Sequence, residues 1–389
     1  MKVLMLSQGR HIDDQPDYDI SFRNAQCEGR HIELLNIPFR GYIEKYGCSS
    51  FYNEVVRANC EFKPDLVFFQ FFHSNGLTDP TSCIHSIRKS ANQPLVFGSL
   101  GDLFDTGILR FMGRPIPSHT LQLAACADAF FTTSMGNISD YLVNKGARNV
   151  VFLPHAFCPM HFPDWDSEYV NEKKYGIVML CSNGSMVSRF PLRAFNNTFR
   201  RRALVWRLHK HFGNNFSLFG RGWGGLSSCG TIPFKDQVNI YRMGKVVIDA
   251  PAPVINTTYY SSDRAFFMLG SGVPLIHFHT PRFEKMLRAD EHAFYANNSE
   301  DAVQVGEKLL TLTEDQLHAR RKTIISFIKK HHLIDHRIDT ILSTAEAIKN
   351  VRDGKMSAAS ALNLIRMRHF LPEVDLREEH KYAVANWIG

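Results

Sequence analysis

The sequence predicts an α/β protein of two doubly wound domains that face each other across a cleft. Three observations carry this. Short apolar strands alternate with helical segments through the first 150 residues, the alternation breaks over residues 156–174, and it restarts at Tyr175. The strands lack strict polar alternation, which suits a parallel sheet covered on both faces. A chain of 389 residues also exceeds one ordinary core.

In the first half, strands are expected over Lys2–Ser7 and over residues 31–37, 65–72, 94–98, 129–133 and 150–153. Each is a β-rich apolar run bounded by polar or turn residues. The run Val67-Phe68-Phe69-Gln70-Phe71-Phe72 is too short to cross a membrane. Helices are expected over residues 51–61 and 138–145. Pro154, Pro159, Pro163 and Trp165 then mark an aperiodic stretch. The linker is set at 156–174, between a first domain at 1–155 and a second at 175–352. In the second, strands are expected over residues 175–181, 215–219, 246–250, 273–276 and 293–295. Its helices are expected over residues 193–212, 235–243 and 282–287, over Ser299–Leu310 and Glu314–His331, and over residues 337–351. The tail, 353–389, has a helical portion at 358–367 able to pack back on the first domain.

Composition sets the class. Hydrophobic residues make up 44% and charged residues 21%, as in an ordinary soluble protein. The net charge of +7 suits an anionic partner, whether a phosphorylated small molecule, a membrane surface or nucleic acid. The densest basic cluster, Arg200-Arg201-Arg202 with Arg193, Arg207, Lys210 and His211, reads as a solvated helix face. Eight scattered cysteines form no C-x-x-C pair, and the first residues read as a strand rather than a signal peptide. A cytoplasmic protein is the expectation.

The most informative stretch runs from Ser261 to Ile276, SSDRAFFMLGSGVPLI. It reads as a capped helix, a glycine stop and a buried strand. Ser261, Ser262 or Asp263 can cap the helix, and Gly270, Gly272 and Pro274 end it. Free N–H groups and the helix dipole make such a start a seat for a diphosphate.

Four stretches together resemble a known family. They are Asp128–Ser134 running on to Lys145–Ala156, Phe219-Gly220-Arg221-Gly222-Trp223, the segment from Ser261 to Ile276, and Phe294-Tyr295 with Ser299–Leu310 and residues 332–337. In order and spacing they are similar to GT-B fold glycosyltransferases, specifically the CgeB-like branch of the group 1 family. The resemblance covers about residues 125–342 and implies two Rossmann-like domains, the first for the acceptor and the second for a nucleotide-sugar donor. It implies a hexosyl- or pentosyltransferase that needs neither metal nor other cofactor. The donor is expected to be of the uridine diphosphate type, and the acceptor a hydroxyl of a glycan or of a hydroxymethylated base in DNA. A non-catalytic nucleotide-sugar-binding or structural protein of this fold, and a sugar epimerase, are the alternatives.

The family's R-x-F-E pattern matches here, but two of the family's acids are missing. The glutamate that commonly holds the donor ribose falls on Phe267, and its partner acid eight residues earlier falls on Tyr259. Phe cannot accept a hydroxyl hydrogen bond.

The donor-binding candidates follow from the strand ends. Arg264, in the first helical turn, can clamp a diphosphate with paired hydrogen bonds, and Ser261 and Ser262 can donate to the same phosphates. Asn183 and Gly184 form a turn after the first strand of the second domain. Arg221 stands between glycines after the next, and Trp223 is a candidate for base stacking. His155 follows the sixth strand at the hinge. Gly9, in Gln8-Gly9-Arg10-His11, resembles the flexible acceptor-side loop and joins this set. An inverting transferase needs a base to take the acceptor proton, and Asp102 and His73 are the catalytic candidates. His277, His279, His331 and His332 lack metal-ligand spacing, so no metal site is expected.

Overall fold

A computed structural model describes residues 1–389 apart from 26–30, 102, 103, 105, 107–114, 163, 168–171, 184–197, 224, 225, 227 and 252–256. The first half builds one sheet from β1 (Lys2–Ser7), β2 (Glu33–Pro38), β3 (Leu66–Phe69), β4 (Leu95–Leu100), β5 (Ala129–Thr132), β6 (Met135–Gly136, outside this sheet) and β7 (Val150–Phe152). Its helices are α1 (Pro16–Asn24), α2 (Phe39–Tyr46), α3 (Cys48–Phe62), α4 (Thr81–Arg88), α5 (Ser118–Cys126) and α6 (Asn137–Asn144). The second half contributes β8 (Tyr175–Leu180), α7 (Thr198–Phe212), β9 (Phe216–Phe219), α8 (Gln237–Arg242), β10 (Gly244–Ile248), β11 (Thr257–Thr258), α9 (Asp263–Gly270), β12 (Leu275–Phe278) and β13 (Phe294–Ala296). It closes with α10 (Ser299–Leu310), α11 (Glu314–His331), α12 (Ile334–Arg352), α13 (Ala358–Leu362), α14 (Leu376–Ala383) and β14 (Val384–Ala385).

The first sheet has the order β14-β7-β5-β4-β3-β1-β2 and the second β13-β12-β10-β8-β9. Every pairing is parallel except that of β14 with β7. The central strands β3, β4 and β5 are buried at every residue, as parallel strands covered by helices must be. In both sheets the strand order reverses at the first strand, so a crevice opens at the carboxyl ends, where ligands of such sheets bind. Those ends face each other across the cleft.

Three joints set the halves relative to each other. β6 and β11 pair as a two-stranded antiparallel ribbon, Thr257 opposite Gly136 and Thr258 opposite Met135. α12 packs on α1 of the first domain. At the hinge, the buried Arg337 donates to the carbonyls of Pro154 (2.9 Å), His155 (2.7 Å) and His331 (3.0 Å) and to His332 Nδ1 (3.0 Å).

Two element expectations need correction. Residues 282–287 form only a single 3-10 turn, Phe283–Lys285, because Arg282 enters it at φ 68°, which a right-handed helix excludes. The tail helix stops at Leu362, where the chain turns so that Ile365, Met367 and Phe370 enter the core. Asn386 and Ile388 then bond to Ala147 and Asn149 of the first domain.

Candidate functional site

The interdomain cleft has a volume of ≈ 980 Å³ and is lined from three sides. The first domain supplies the loops after β1, β3 and β4, the hinge supplies Leu153–Cys158, and the second domain supplies the start of α9.

On the first-domain wall, His73 lies in the cleft just after β3 and is 9% exposed. Gln8 Nε2 donates to the His73 carbonyl at 3.1 Å and lies 3.4 Å from its Nε2, so the loop after β1 holds the imidazole. His119, on α5, lines the same wall, and burial followed by the neighbouring His73 lowers its pKa below the usual value. It is therefore a neutral imidazole at neutral pH. Nothing in its sequence neighbourhood singled it out. Gly9 is buried behind this wall. Its carbonyl accepts from Gly41 N at 3.1 Å, and a Cβ on it would meet Asp14 at 2.9 Å, so it packs the loop rather than facing a ligand. Asp14 takes backbone hydrogens from Arg10 (2.7 Å) and His11 (3.2 Å). Burial opposes ionisation of Asp14, but these bonds, His11 and Arg40 outweigh it and lower its pKa. Asp102 lies outside the described residues.

His155 also lines the cleft, with its carbonyl fixed by Arg337. Beside it, Phe267 packs edge-on or tilted against Phe157 (6.5 Å), Phe162 (5.3 Å) and Phe234 (5.4 Å). Phe267 is 4% exposed, whereas Phe234 is 46% exposed at the cleft wall. The position where the family pattern places an acid is thus an aromatic wall. Tyr259, the other departure, lies elsewhere. It stacks on Phe152 of β7 at 4.7 Å, and its hydroxyl bonds to Glu379 of α14 and accepts from Arg282 Nε at 3.0 Å. Arg282 and Glu379 complete the network with two further bonds of 3.0 Å. Tyr259 is an interdomain strut.

Asp263 and Phe267 line the second-domain side of the cleft, and charge gathers behind them at Arg264, Arg201 and Asp249, which are not among the described lining residues. Arg264 sits in the first turn of α9, half-buried, and its guanidinium donates no hydrogen bond to any described residue; its Nε is sealed from solvent without a partner. Burial alone would lower its pKa, but Asp263 and Asp249 outweigh that and leave it raised, so it is cationic. Asp249, just past β10, is buried with its Oδ2 3.4 Å from His277 Nδ1; burial opposes ionisation, but His277 and Arg264 outweigh it and lower its pKa. Arg201, on α7, faces the same place. Its pKa is lowered by burial, partly offset by Cys181, and lowered again by the charge of Arg264, so the two cations lie within electrostatic reach of each other. Arg201 donates to the Ser182 carbonyl at 2.8 Å and leaves Nε unpaired. This corrects the expectation of a wholly solvated basic cluster: of three consecutive arginines, the middle one turns inward.

The serines behave differently from the expectation. Ser262 occupies the N-cap with β-region geometry, yet its side chain makes no cap bond and its Oγ is buried without a partner. Asp263 Oδ1 instead accepts from Arg264 N at 2.8 Å, and Asp263 lines the cleft. Ser261 is buried and bonds back to the Ser262 carbonyl at 3.2 Å. In the first turn of α9, Arg264 N is met by Asp263 Oδ1 and Ala265 N by the Ser262 carbonyl at 3.1 Å, so no side chain of the serines caps the helix.

Asn183 and Arg221 do not line the cleft. Asn183 Nδ2 donates to the Gly222 carbonyl at 2.6 Å, its N to the Arg221 carbonyl at 2.9 Å, and its Oδ1 accepts from Arg202 at 2.7 Å. It ties the loop after β8 to the loop after β9. The two loops approach so closely that a Cβ on Gly220 (φ 140°) would lie 2.0 Å from the Cys181 carbonyl oxygen, which excludes other residues. Arg221 points to solvent. Trp223 is buried and donates Nε1 to that same Cys181 oxygen at 2.8 Å, which leaves no face for a base. Gly184 lies outside the described residues, as do Arg189 and Arg193.

Comparison with known proteins agrees with this geometry. Residues 200–343 match the glycosyl transferase-like family, covering the second-domain wall from α7 to α12. No curated protein matches the chain. Among solved structures it is similar to trehalose 6-phosphate synthase from Burkholderia multivorans (12% identity, 92% of this chain and 99% of that one, TM-score 0.52). It is similar to sucrose-phosphate synthase from Thermosynechococcus elongatus (9% identity, 91% and 100%, TM-score 0.54). It is also similar to Anabaena HepE, solved in complex with UDP-glucose (12% identity, 91% and 100%, TM-score 0.51). The chain has the GT-B fold, and its second half carries a glycosyltransferase-like domain.

Proposed function

We propose that the protein transfers a sugar from a nucleotide-sugar donor to a hydroxyl acceptor across the interdomain cleft. The observation that carries this is the Arg264 guanidinium in the first turn of α9, whose buried Nε has no partner and whose charge is felt by Arg201. A guanidinium with a sealed, unpartnered Nε beside a second cation favours an anion there, in addition to the carboxylates of Asp249 and Asp263. A leaving diphosphate supplies that anion, and charge that develops on it during transfer is met by donors already in place. The glycosyl transferase-like match over the same wall supports the reading.

The opposite wall offers hydrogen-bonding groups suited to a hydroxyl-rich acceptor, among them Gln8, Asp14, His73 and Asn75. His73 is assigned as the base that takes the acceptor proton; its place on this wall and the bond from Gln8 to its carbonyl support the assignment. A glycan acceptor fits this wall, and a uridine diphosphate sugar is the first donor to test. The guanidiniums and the helix start together neutralise a diphosphate without a divalent cation, so chelator should leave activity unchanged.

The test is release of nucleoside diphosphate from a set of uridine, guanosine and thymidine diphosphate sugars, with and without oligosaccharide acceptors. Release that depends on Arg264 supports the reading. Intact donors throughout, together with no thermal shift by any of the three nucleoside diphosphates, would overturn it.

A further inference from the structure

We propose that the outer face of α7 docks the protein on a membrane surface carrying anionic headgroups. Phe199, Ala203, Trp206 and Lys210 are spaced four, three and four residues apart, which at about 3.6 residues per turn makes one stripe along the helix. The opposite face, Leu204, Val205 and Leu208, is fully buried in the second domain. Phe199 is 65% exposed and Trp206 54% exposed. Two large aromatic side chains on one stripe of a water-soluble surface are costly to leave in water and mark a contact site.

Charge identifies the occupant. Arg200 and Arg207 flank the stripe on one side and Arg202 and His209 on the other, with Lys210 at its end. Arg207 is answered by Glu300 and His211 by Glu307, while Arg200 and Lys210 have no ion pair among the described residues. The pattern is an apolar centre with a cationic rim. That suits a helix lying in the headgroup plane, its aromatic side chains at the acyl boundary and its cations among anionic headgroups. A nucleic-acid face would instead place cations at the centre, where they reach phosphates. No described helix is long and apolar enough to cross a membrane, so the contact is peripheral. Because Arg201 lies on the inward side of the same helix, docking brings the candidate donor wall to the bilayer surface.

The full chain is tested by co-sedimentation with phosphatidylcholine vesicles with and without phosphatidylglycerol. Binding is expected only to the anionic vesicles, and it should weaken as salt is raised from about 50 mM to about 500 mM because salt screens surface charge. The F199S/W206S double variant should bind at least about tenfold more weakly, since most of the apolar contact is gone. Melting temperature shows that this variant is folded. Trp165 and Trp223 are buried and Trp387 is half-buried in the tail with its Nε1 bonded to Ala358, so brominated lipid should quench the wild type and quench W206F less. Overturning results are wild-type protein left in solution at low salt, equal binding by folded F199S/W206S, or α7-dependent binding of duplex DNA in place of vesicles.

Discussion

Two arginines separate scaffold from site. Arg337, at the hinge, is fully buried, and every nitrogen of its guanidinium has an acceptor. Burial pushes its pKa down to about 9. Arg264, next to the cleft-lining Asp263, has carboxylates within electrostatic reach but its guanidinium has no hydrogen-bond acceptor among the described residues. The hinge arginine has completed its bonding within the chain and the cleft arginine has not. A saturated guanidinium holds backbone in place, whereas an unsaturated one beside a second cation is the group that the proposed function assigns to a ligand.

Substitutions can break this contrast. Arg264→Ala should lower turnover about 100- to 1000-fold, by analogy with loss of one preorganised donor to developing charge. Its melting temperature should stay near that of the wild type, because no internal bond is lost. Arg337→Met should do the reverse. It strands the carbonyls of Pro154, His155 and His331, and at roughly 1–3 kcal/mol per buried unsatisfied group the loss of stability should reach about 3 kcal/mol in a denaturant titration. Donor KM in the protein that remains folded should change little.

Tyr259→Phe sharpens the comparison at the second family departure. Only the bonds from its hydroxyl to Glu379 and Arg282 are lost, and the Arg282–Glu379 pair survives, so about 1 kcal/mol is expected in chemical denaturation with donor affinity unchanged. A drop in donor affinity would return Tyr259 to the site.

The last prediction concerns acid. Burial, reinforced by the charge of Arg288 or Arg337, lowers the pKa of His292 and His336 to about 4, and that of the fully buried His332 and His369 well below the usual value. Between about pH 6.5 and 4 the unfolded chain binds more protons at these groups than the folded one, so their stabilisation is complete above that range and is lost as pH falls. Melting temperature should fall across this window. His369→Leu, which removes an imidazole with no hydrogen bond at either nitrogen, should flatten part of the decline.

What was legible in the sequence was local. The alternation of strands and helices, the glycine stop after α9 and Arg264 in its first turn all follow from neighbouring residues. What was not legible depends on packing between distant parts. Residues 200–202 are three arginines about 100° apart on one helix, and only the packing of α7 decides that Arg201 faces inward. Tyr259 reads as a missing acid until the tail returns from 120 residues away and brings Glu379 to its hydroxyl. Phe267 reads as a defect until Phe157, Phe162 and Phe234 close around it. Ser262 has a capping residue's identity and backbone, but its hydroxyl makes no cap bond.

The central claim is that Arg264 is held unsaturated for the phosphates of a nucleotide donor. Its most direct test is calorimetric titration of UDP into the wild type and into Arg264→Ala. A charge-assisted bidentate contact should make the variant bind at least about tenfold more weakly while melting at the same temperature. Equal UDP affinity in the two proteins would contradict the account.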